Sequence, residues 1–314
     1  MKKLLILSAA CLFTLVSCNE TEGNEEGKKN EGQKDTTAQS DSAVGNERPQ
    51  PLLGETVQIM IGTKDYERTV LFYKTLGWEI EKKGEQPWRW TSLYDGSTTL
   101  LVNEDTTNYM GPAYHASNAN EVYKKLADLG IKPAIEVPNE EEETWFNVYF
   151  SLDTVGYSII ADSGEKRETT TIADMMYNGG EKLSFPNPVS GILQEYAVSV
   201  EDLDKSMNYW EQLGFSGNGV NEGPPYKYTI FYDGALILGL HETKGMWYGQ
   251  MLTYSGHGVE ANEKAVELLV DAGFENAEPL EYGGQVFPGN YLIHDPAGNV
   301  FFLTTDFSKM KKVD

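Results

Sequence analysis

The sequence predicts an α+β protein made of two similar halves, each a pair of β-α-β-β-β modules. Three observations carry this. The stretch Val200–Phe215 repeats Gly62–Trp78, with Asp202 on Asp65, Trp210 on Tyr73 and Gly214 on Gly77 (202 − 65 = 210 − 73 = 214 − 77 = 137). The turn Asp295–Gly298 repeats Asp153–Gly156 (295 − 153 = 298 − 156 = 142). Between these landmarks the same strand and helix patterns recur in the same order, and a fixed-offset self-match of this kind marks duplicated units.

In the first half, Val57–Thr63 reads as a strand and Tyr66–Leu76 as a helix with Val70, Leu71, Tyr73 and Leu76 at helical spacing. Asp65 stands where an N-cap belongs, and Gly77 where a C′ glycine belongs. Strands follow at Glu79–Lys83, Trp88–Tyr94 and Thr98–Asn103, the last two joined across Asp95-Gly96. The order repeats as strand Pro112–Ser117, helix Ala119–Leu129 and strands Pro133–Val137, Trp145–Leu152 and Tyr157–Ala161. In the second half, strand Leu193–Val200, helix Leu203–Leu213 and a hairpin, Tyr226–Tyr232 into Leu236–Leu240, come first. Gln250–Tyr254, helix Asn262–Ala272 and a final hairpin, Asn290–His294 into Val300–Thr304, complete it.

The expected organisation is a signal peptide over 1–17, a tether over 18–54, a first domain over 55–163 and a linker over 164–191. A second domain over 192–306 and a tail over 307–314 follow. One short helical turn is expected in the linker, around Ile172–Tyr177. Lys2-Lys3 and the short apolar run Leu4–Val16 have the form of a secretory signal. Leu15-Val16-Ser17-Cys18 resembles the lipobox of bacterial lipoproteins. That resemblance implies cleavage before Cys18, acylation of its thiol and attachment to the lipid bilayer of the cell envelope, on the outer membrane and facing the periplasm or the surface. Two or three acyl chains hold where one does not. The stretch from Asn19 to Gly54 is too poor in large apolar residues to fold and suits a tether.

The chain has 314 residues, a formal net charge of −23 and two cysteines, Cys11 and Cys18, both inside the signal region. The folded part therefore carries no disulfide, thiol nucleophile or thiolate metal site. So acidic a chain is not expected to bind nucleic acid, which needs Lys and Arg against phosphate. There is no G-x-S-x-G elbow, P-loop or dinucleotide fingerprint.

Paired β-α-β-β-β modules, the doubled FYKTLG/YWEQLG helix and the hairpin DPAGNVFFL together resemble the vicinal oxygen chelate superfamily. That superfamily includes glyoxalase I, fosfomycin-resistance and bleomycin-binding proteins and extradiol dioxygenases. The resemblance covers roughly Glu55–Asp306 and implies two glyoxalase-like partial barrels, each with a ligand on its concave face. In the family's enzymes that face usually holds a divalent metal, and a His or Gln ligand lies seven residues before the helix-capping Asp. Here those positions are Gln58 and Glu195 (195 − 58 = 137). Strand alternation groups Gln58 with Met60 and Gly62, opposite Ile59 and Ile61, and Glu195 with Ala197 and Ser199. Where the resemblance implies a glutamate on the last strand, the chain has Ile160 and Phe302. The remaining ligand position falls near Gly111 in one half and near Tyr254 in the other.

One ligand-type residue per half does not make a stable site, which needs three or more O or N donors. No catalytic metal is therefore expected. Were Zn, Ni, Fe or Mn to bind, the candidates are Gln58 with His115 in the first half and Glu195 with His241 in the second. Glu195 and His241 are also the candidate acid–base pair, the simpler reading of His241 being a hydrogen-bonded strand end. The aromatic trio Trp88, Trp90 and Tyr94 matches Tyr226, Tyr228 and Tyr232 (226 − 88 = 228 − 90 = 232 − 94 = 138). Such faces either stack on a planar ligand or meet another domain or a second copy in a homodimer. The expected ligand-binding set is Gln58, Trp90, Tyr94, His115, Glu195, Tyr228, Tyr232 and His241. The expected function is binding of a small planar or apolar molecule by an envelope-anchored protein. A metal-dependent lyase, isomerase or dioxygenase, and an envelope scaffold, are the alternatives.

Overall fold

The computed structural model describes residues 50–305, apart from 87, 139–143, 163, 165–184, 218, 224, 276 and 283. The signal, Cys18, the tether as far as residue 49, the helical turn expected at Ile172–Tyr177 and the C-terminal tail lie outside the described residues; the end of the expected tether is instead packed, with Leu53 buried in the core. In the first half, β1 (Thr56–Thr63), α1 (Tyr66–Thr75), β2 (Glu79–Gly84), β3 (Trp90–Tyr94) and β4 (Thr99–Glu104) form one module. β5 (Tyr109–His115), α2 (Ala119–Asp128), β6 (Ile135–Pro138), β7 (Thr144–Phe150) and β8 (Gly156–Ile160) form the next. The second half repeats both. Its third module is β9 (Ile192–Ser199), α3 (Leu203–Gln212), β10 (Ser216–Gly217), β11 (Lys227–Tyr232) and β12 (Ile237–Glu242). The fourth is β13 (Gln250–Ser255), α4 (Val259–Asp271), β14 (Ala277–Tyr282), β15 (Gln285–His294) and β16 (Val300–Thr304).

Each half is one eight-stranded sheet, ordered β2-β3-β4-β1-β5-β8-β7-β6 and β10-β11-β12-β9-β13-β16-β15-β14. The crossover helix makes the first strand of a module parallel to its last, as in β1 with β4 and β13 with β16. The two modules of a half meet through an antiparallel pair, β1 with β5 and β9 with β13. Modules therefore pair within the chain, giving the two barrel-like halves expected of an α+β tandem repeat.

Local chemistry accounts for the element ends. Helices α1 and α3 stop where Gly77 (φ 97°) and Gly214 (φ 90°) take the left-handed conformation that a Cβ disfavours. Asp202 caps α3 by accepting from Lys205 N at 3.1 Å. Its partner Asp65 makes no side-chain cap; its backbone carbonyl accepts from Thr69 N instead. Helix α4 starts at Val259, one turn earlier than Asn262. The Asn262 side chain faces inward and donates to Gly289 O at 2.8 Å, so it is not the helix start. Strand β14 was not expected, because Pro279 interrupts its pattern; Pro is tolerated there on the sheet edge.

Helices and sheet backs share a continuous apolar core that runs through both halves and includes Ile59, Ile61, Leu100, Val198, Leu238 and Leu240. Trp78 of the first half packs on Tyr254 of the second, with ring centroids 5.1 Å apart. Hydrogen bonds cross at the hairpin turns. Asp95 Oδ1 accepts from Ser97 N and Thr98 N, while its Oδ2 accepts from the Tyr254 hydroxyl at 2.8 Å. In the second half, Asp233 Oδ1 accepts from Ala235 N and Leu236 N, and its Oδ2 from the Tyr114 hydroxyl at 2.8 Å. The two pairs are related by the repeat (233 − 95 = 138; 254 − 114 = 140). Asp295 accepts from the Tyr73 hydroxyl at 2.9 Å and Asp153 from the Ser206 hydroxyl at 2.6 Å, so all four hairpin aspartates are held by the opposite half.

Burial raises the pKa of Asp95, Asp233 and Asp295 above the usual aspartate value, against the lowering effect of their turn amides and hydroxyl partners. A carboxyl whose pKa is raised on folding contributes stability that is fully present below the unfolded value, roughly 3.9, and lost as pH climbs through the folded value. Asp233→Asn keeps an acceptor for the two turn amides and has no such titration. In urea unfolding, the stability of the native protein minus that of Asp233→Asn should fall as pH rises from about 4 to 7. A difference that stays constant would show that Asp233 is not destabilised by its burial.

Candidate functional site

The alternation of β1 that buries Ile59 and Ile61 against the helices turns Thr56 and Gln58 to the concave side of the first half. There they line a cavity of about 730 Å³ together with Trp88, Trp90, Asn103, His115, Trp145, Ile160 and Asp162. Three indoles form its apolar walls. Trp88 and Trp145 lie 5.7 Å apart, inclined by 35°, and Trp88 Nε1 donates to Asn103 Oδ1 at 3.1 Å. Asn103 in turn donates to the Tyr109 hydroxyl at 3.5 Å. His115 Nδ1 lies 2.5 Å from Asp162 Oδ1, which also accepts from Gly164 N at 2.9 Å. The His115 hydrogen bond holds the Asp162 carboxyl below the usual range.

The matching face of the second half is arranged differently. Glu195 on β9 and His241 on β12 are both buried, with Oε2 3.2 Å from Nε2. Three aromatic rings enclose the imidazole. Tyr228 stacks on it at 5.4 Å and 14°, Tyr226 meets it edge-on at 5.6 Å, and Trp247 closes the remaining side at 5.6 Å. Trp247 Nε1 donates to the Tyr226 hydroxyl at 3.2 Å, and Asn221 Nδ2 donates to the Tyr228 hydroxyl at 2.8 Å. His241 Nδ1 is buried without a hydrogen-bond partner among the described residues. Gly239 makes the pair fit, since a Cβ there would stand 1.9 Å from Glu195 Oε2 and 2.6 Å from His241 Nε2.

The structure thus places Gln58, Trp90 and His115 around one cavity, and Glu195, Tyr228 and His241 in one cluster. Tyr94 and Tyr232 lie outside both groups: their hydroxyls donate to Gly96 O and Gly234 O at their own hairpin turns. Asn103, Trp145, Asp162 and Trp247 were not singled out from sequence. For Asn103 a signal existed, because it occupies the position of His241 (241 − 103 = 138).

Strand register also tests the donor set for a divalent ion. The residue opposite Gln58 is Ala113, and Gly111 lies opposite Met60. Thr253 lies opposite Glu195. Tyr254 is turned away into the core, with its hydroxyl on Asp95. Ile160 and Phe302 supply no donor. Among the described residues, no group of three or more His, Cys, Asp or Glu is placed to hold a metal ion. The side chains present do not fit a three-ligand divalent site.

No family model matches the chain, and no curated protein sequence does. Solved structures do match. A variant of homoprotocatechuate 2,3-dioxygenase from Brevibacterium fuscum aligns with a TM-score of 0.53 at 12% identity, over 85% of this chain and 76% of that one. A second variant gives 0.53 at 12% identity, over 83% and 73%. A third, in complex with HPCA, gives 0.51 at 13% identity, over 83% and 74%. At this identity the likeness shows the fold alone, the paired-module fold that these 2,3-dioxygenase structures share.

Gly239→Ala should displace the Glu195–His241 pair and cost about 1–3 kcal/mol in unfolding experiments, as overpacking does. In a Glu195→Ala background, where the obstructing oxygen is gone, the same change should cost less than half as much. Equal costs in both backgrounds would show that Gly239 is not needed to accommodate the pair.

Proposed function

We propose that the chain binds a small planar aromatic molecule in the first-half cavity, as the ligand-binding part of a protein anchored through acylated Cys18 to the outer membrane. The observation that carries this reading is the cavity of about 730 Å³ walled by Trp88, Trp90 and Trp145, with Gln58, Asn103 and His115 as polar groups among them. Its volume is that of small-molecule sites. Indole faces favour flat ligands through offset stacking and edge contacts. The fold relatives are named for an aromatic substrate, which agrees with the class of ligand while saying nothing of its identity. The donor set supports binding over metal-dependent conversion. The enclosed Glu195–His241 cluster supports an internal role for the second half. The membrane anchor rests on the signal-like N-terminus ending in Cys18.

Quenching of tryptophan fluorescence by a panel of bicyclic and tricyclic planar aromatics should reveal saturable binding. Trp90→Ala should weaken the best of them about tenfold, the loss of about 1.4 kcal/mol expected of one stacking wall, and Glu195→Ala should leave it unchanged. No saturable binding across the panel, or a Trp90→Ala protein that binds as tightly as the native one, would refute the cavity reading. Cys18→Ser should move the full-length protein from the membrane fraction to the soluble fraction. Retention in the membrane would overturn the lipid anchor.

A further inference from the structure

We propose that the Gln58 carboxamide reads the edge of the ligand, so that the cavity takes a neutral planar heteroaromatic molecule with a lactam edge, a ring N–H beside a carbonyl. This rests on the cavity being the ligand site and names the chemical class that the site selects. Gln58 stands on β1 in the wall of the cavity, partly withdrawn from water. Its side chain makes no hydrogen bond to any described residue.

The second half shows how the fold satisfies this position internally. There the matching Glu195 lies 3.2 Å from His241, and Gly239 leaves the room for the two to meet. All three positions differ in the first half. Asn103 stands at the place of His241, but its amide is committed elsewhere, accepting from Trp88 Nε1 at 3.1 Å and donating to the Tyr109 hydroxyl at 3.5 Å. Leu101 stands at the place of Gly239 (239 − 101 = 138), so a side chain occupies the position that the second half leaves open. Ala113, opposite Gln58 on β5, offers no polar group. The partners of this position have gone, and the amide that remains faces the cavity.

A primary carboxamide carries an acceptor oxygen and a donor nitrogen in one plane. Leaving either unpaired away from water is costly. One ligand group can satisfy both only by presenting a donor and an acceptor side by side, as the edge of adenine does to a glutamine. A lactam edge meets that condition, and a hydrocarbon edge does not. The indoles set the approach. Four strands separate β3 from β7 in the sheet, yet Trp88, just before β3, and Trp145 of β7 lie 5.7 Å apart. The sheet therefore curls until the two meet over the concave face, with β1 among the strands beneath them. A ring held against these indoles turns an edge to Gln58. The charged groups at the cavity, His115, Asp162 and Lys82, each already have a partner, so the ligand needs no charge.

The probes are quinolin-2(1H)-one and coumarin, bicyclic isosteres that differ only in a ring N–H against a ring oxygen. Each is titrated calorimetrically into the full-length protein in detergent. The native protein should bind the quinolone at least about tenfold more tightly, because the ring oxygen of coumarin cannot donate to the Gln58 carbonyl. This ratio is read without any variant. Gln58→Met keeps the length of the side chain without its amide. It should lose the preference through weaker quinolone binding, with coumarin still bound as evidence of an intact cavity. Equal affinities in the native protein, a preference for coumarin, or a quinolone preference that survives Gln58→Met would overturn the role of the amide and leave the cavity reading standing. Binding of other planar rings but of neither probe would also overturn the lactam class alone. Binding of no ring at all would overturn the cavity reading with it.

Discussion

The buried hydrogen bond from a tyrosine of one half to a hairpin aspartate of the other holds this structure together. A carboxylate taken out of water is costly unless every lone pair is used. Asp95 and Asp233 offset part of that cost by dividing their oxygens, one for the turn amides and one for a hydroxyl from across the interface. Separating the halves would leave one oxygen of each carboxylate and both phenols without these partners, in addition to exposing Trp78 and Tyr254. The duplication supplies the geometry, because what one half offers as a turn the other receives on a strand. With the sheet backs committed to one another, the concave faces are left for other chemistry.

Those two faces have diverged at matched positions. Gln58 matches Glu195 in the repeat, Asn103 matches His241, and Leu101 matches Gly239 (239 − 101 = 138). In the second half the glycine admits a carboxylate and an imidazole, and two tyrosines with Trp247 close over them. In the first half indoles and the amides of Gln58 and Asn103 line an open volume. Substituting tryptophan for tyrosine would be expected to fill a cavity. Here the indoles line the open volume instead, with Trp88 held by its bond to Asn103 and packed near Trp145.

Much of this was legible in the sequence because it depends on period and offset. Alternation along β1 and β9 assigned Gln58 and Glu195 to the concave side, and the same reasoning set His241 toward Glu195. The repeat also gave the module order and the helix-ending glycines. What stayed hidden depends on pairings between strands far apart in the chain. Asp162 reaches His115 only because β8 lies beside β5, and Trp145 reaches Trp88 only when the sheet curls. Tyr94 looked like a cavity residue because it shares a strand face with Trp90, but the strand ends there and the hydroxyl closes its own turn. Asp65 looked like a cap by analogy with Asp202, yet α1 is held at that point through the backbone carbonyl alone.

Ile160 joins these threads. It stands beside His115 in the register of β5 and β8 and lines the same cavity, at the position where the resemblance would have placed a carboxylate. A carboxylate there would compete with Asp162 for the imidazole. An isoleucine instead excludes water from one side of the ring, and charges interact more strongly where water is excluded. The apolar side chain thus stands where it strengthens the hydrogen bond between His115 and Asp162. The lack of a donor on this wall and the surroundings of its imidazole are both consequences of a single side chain.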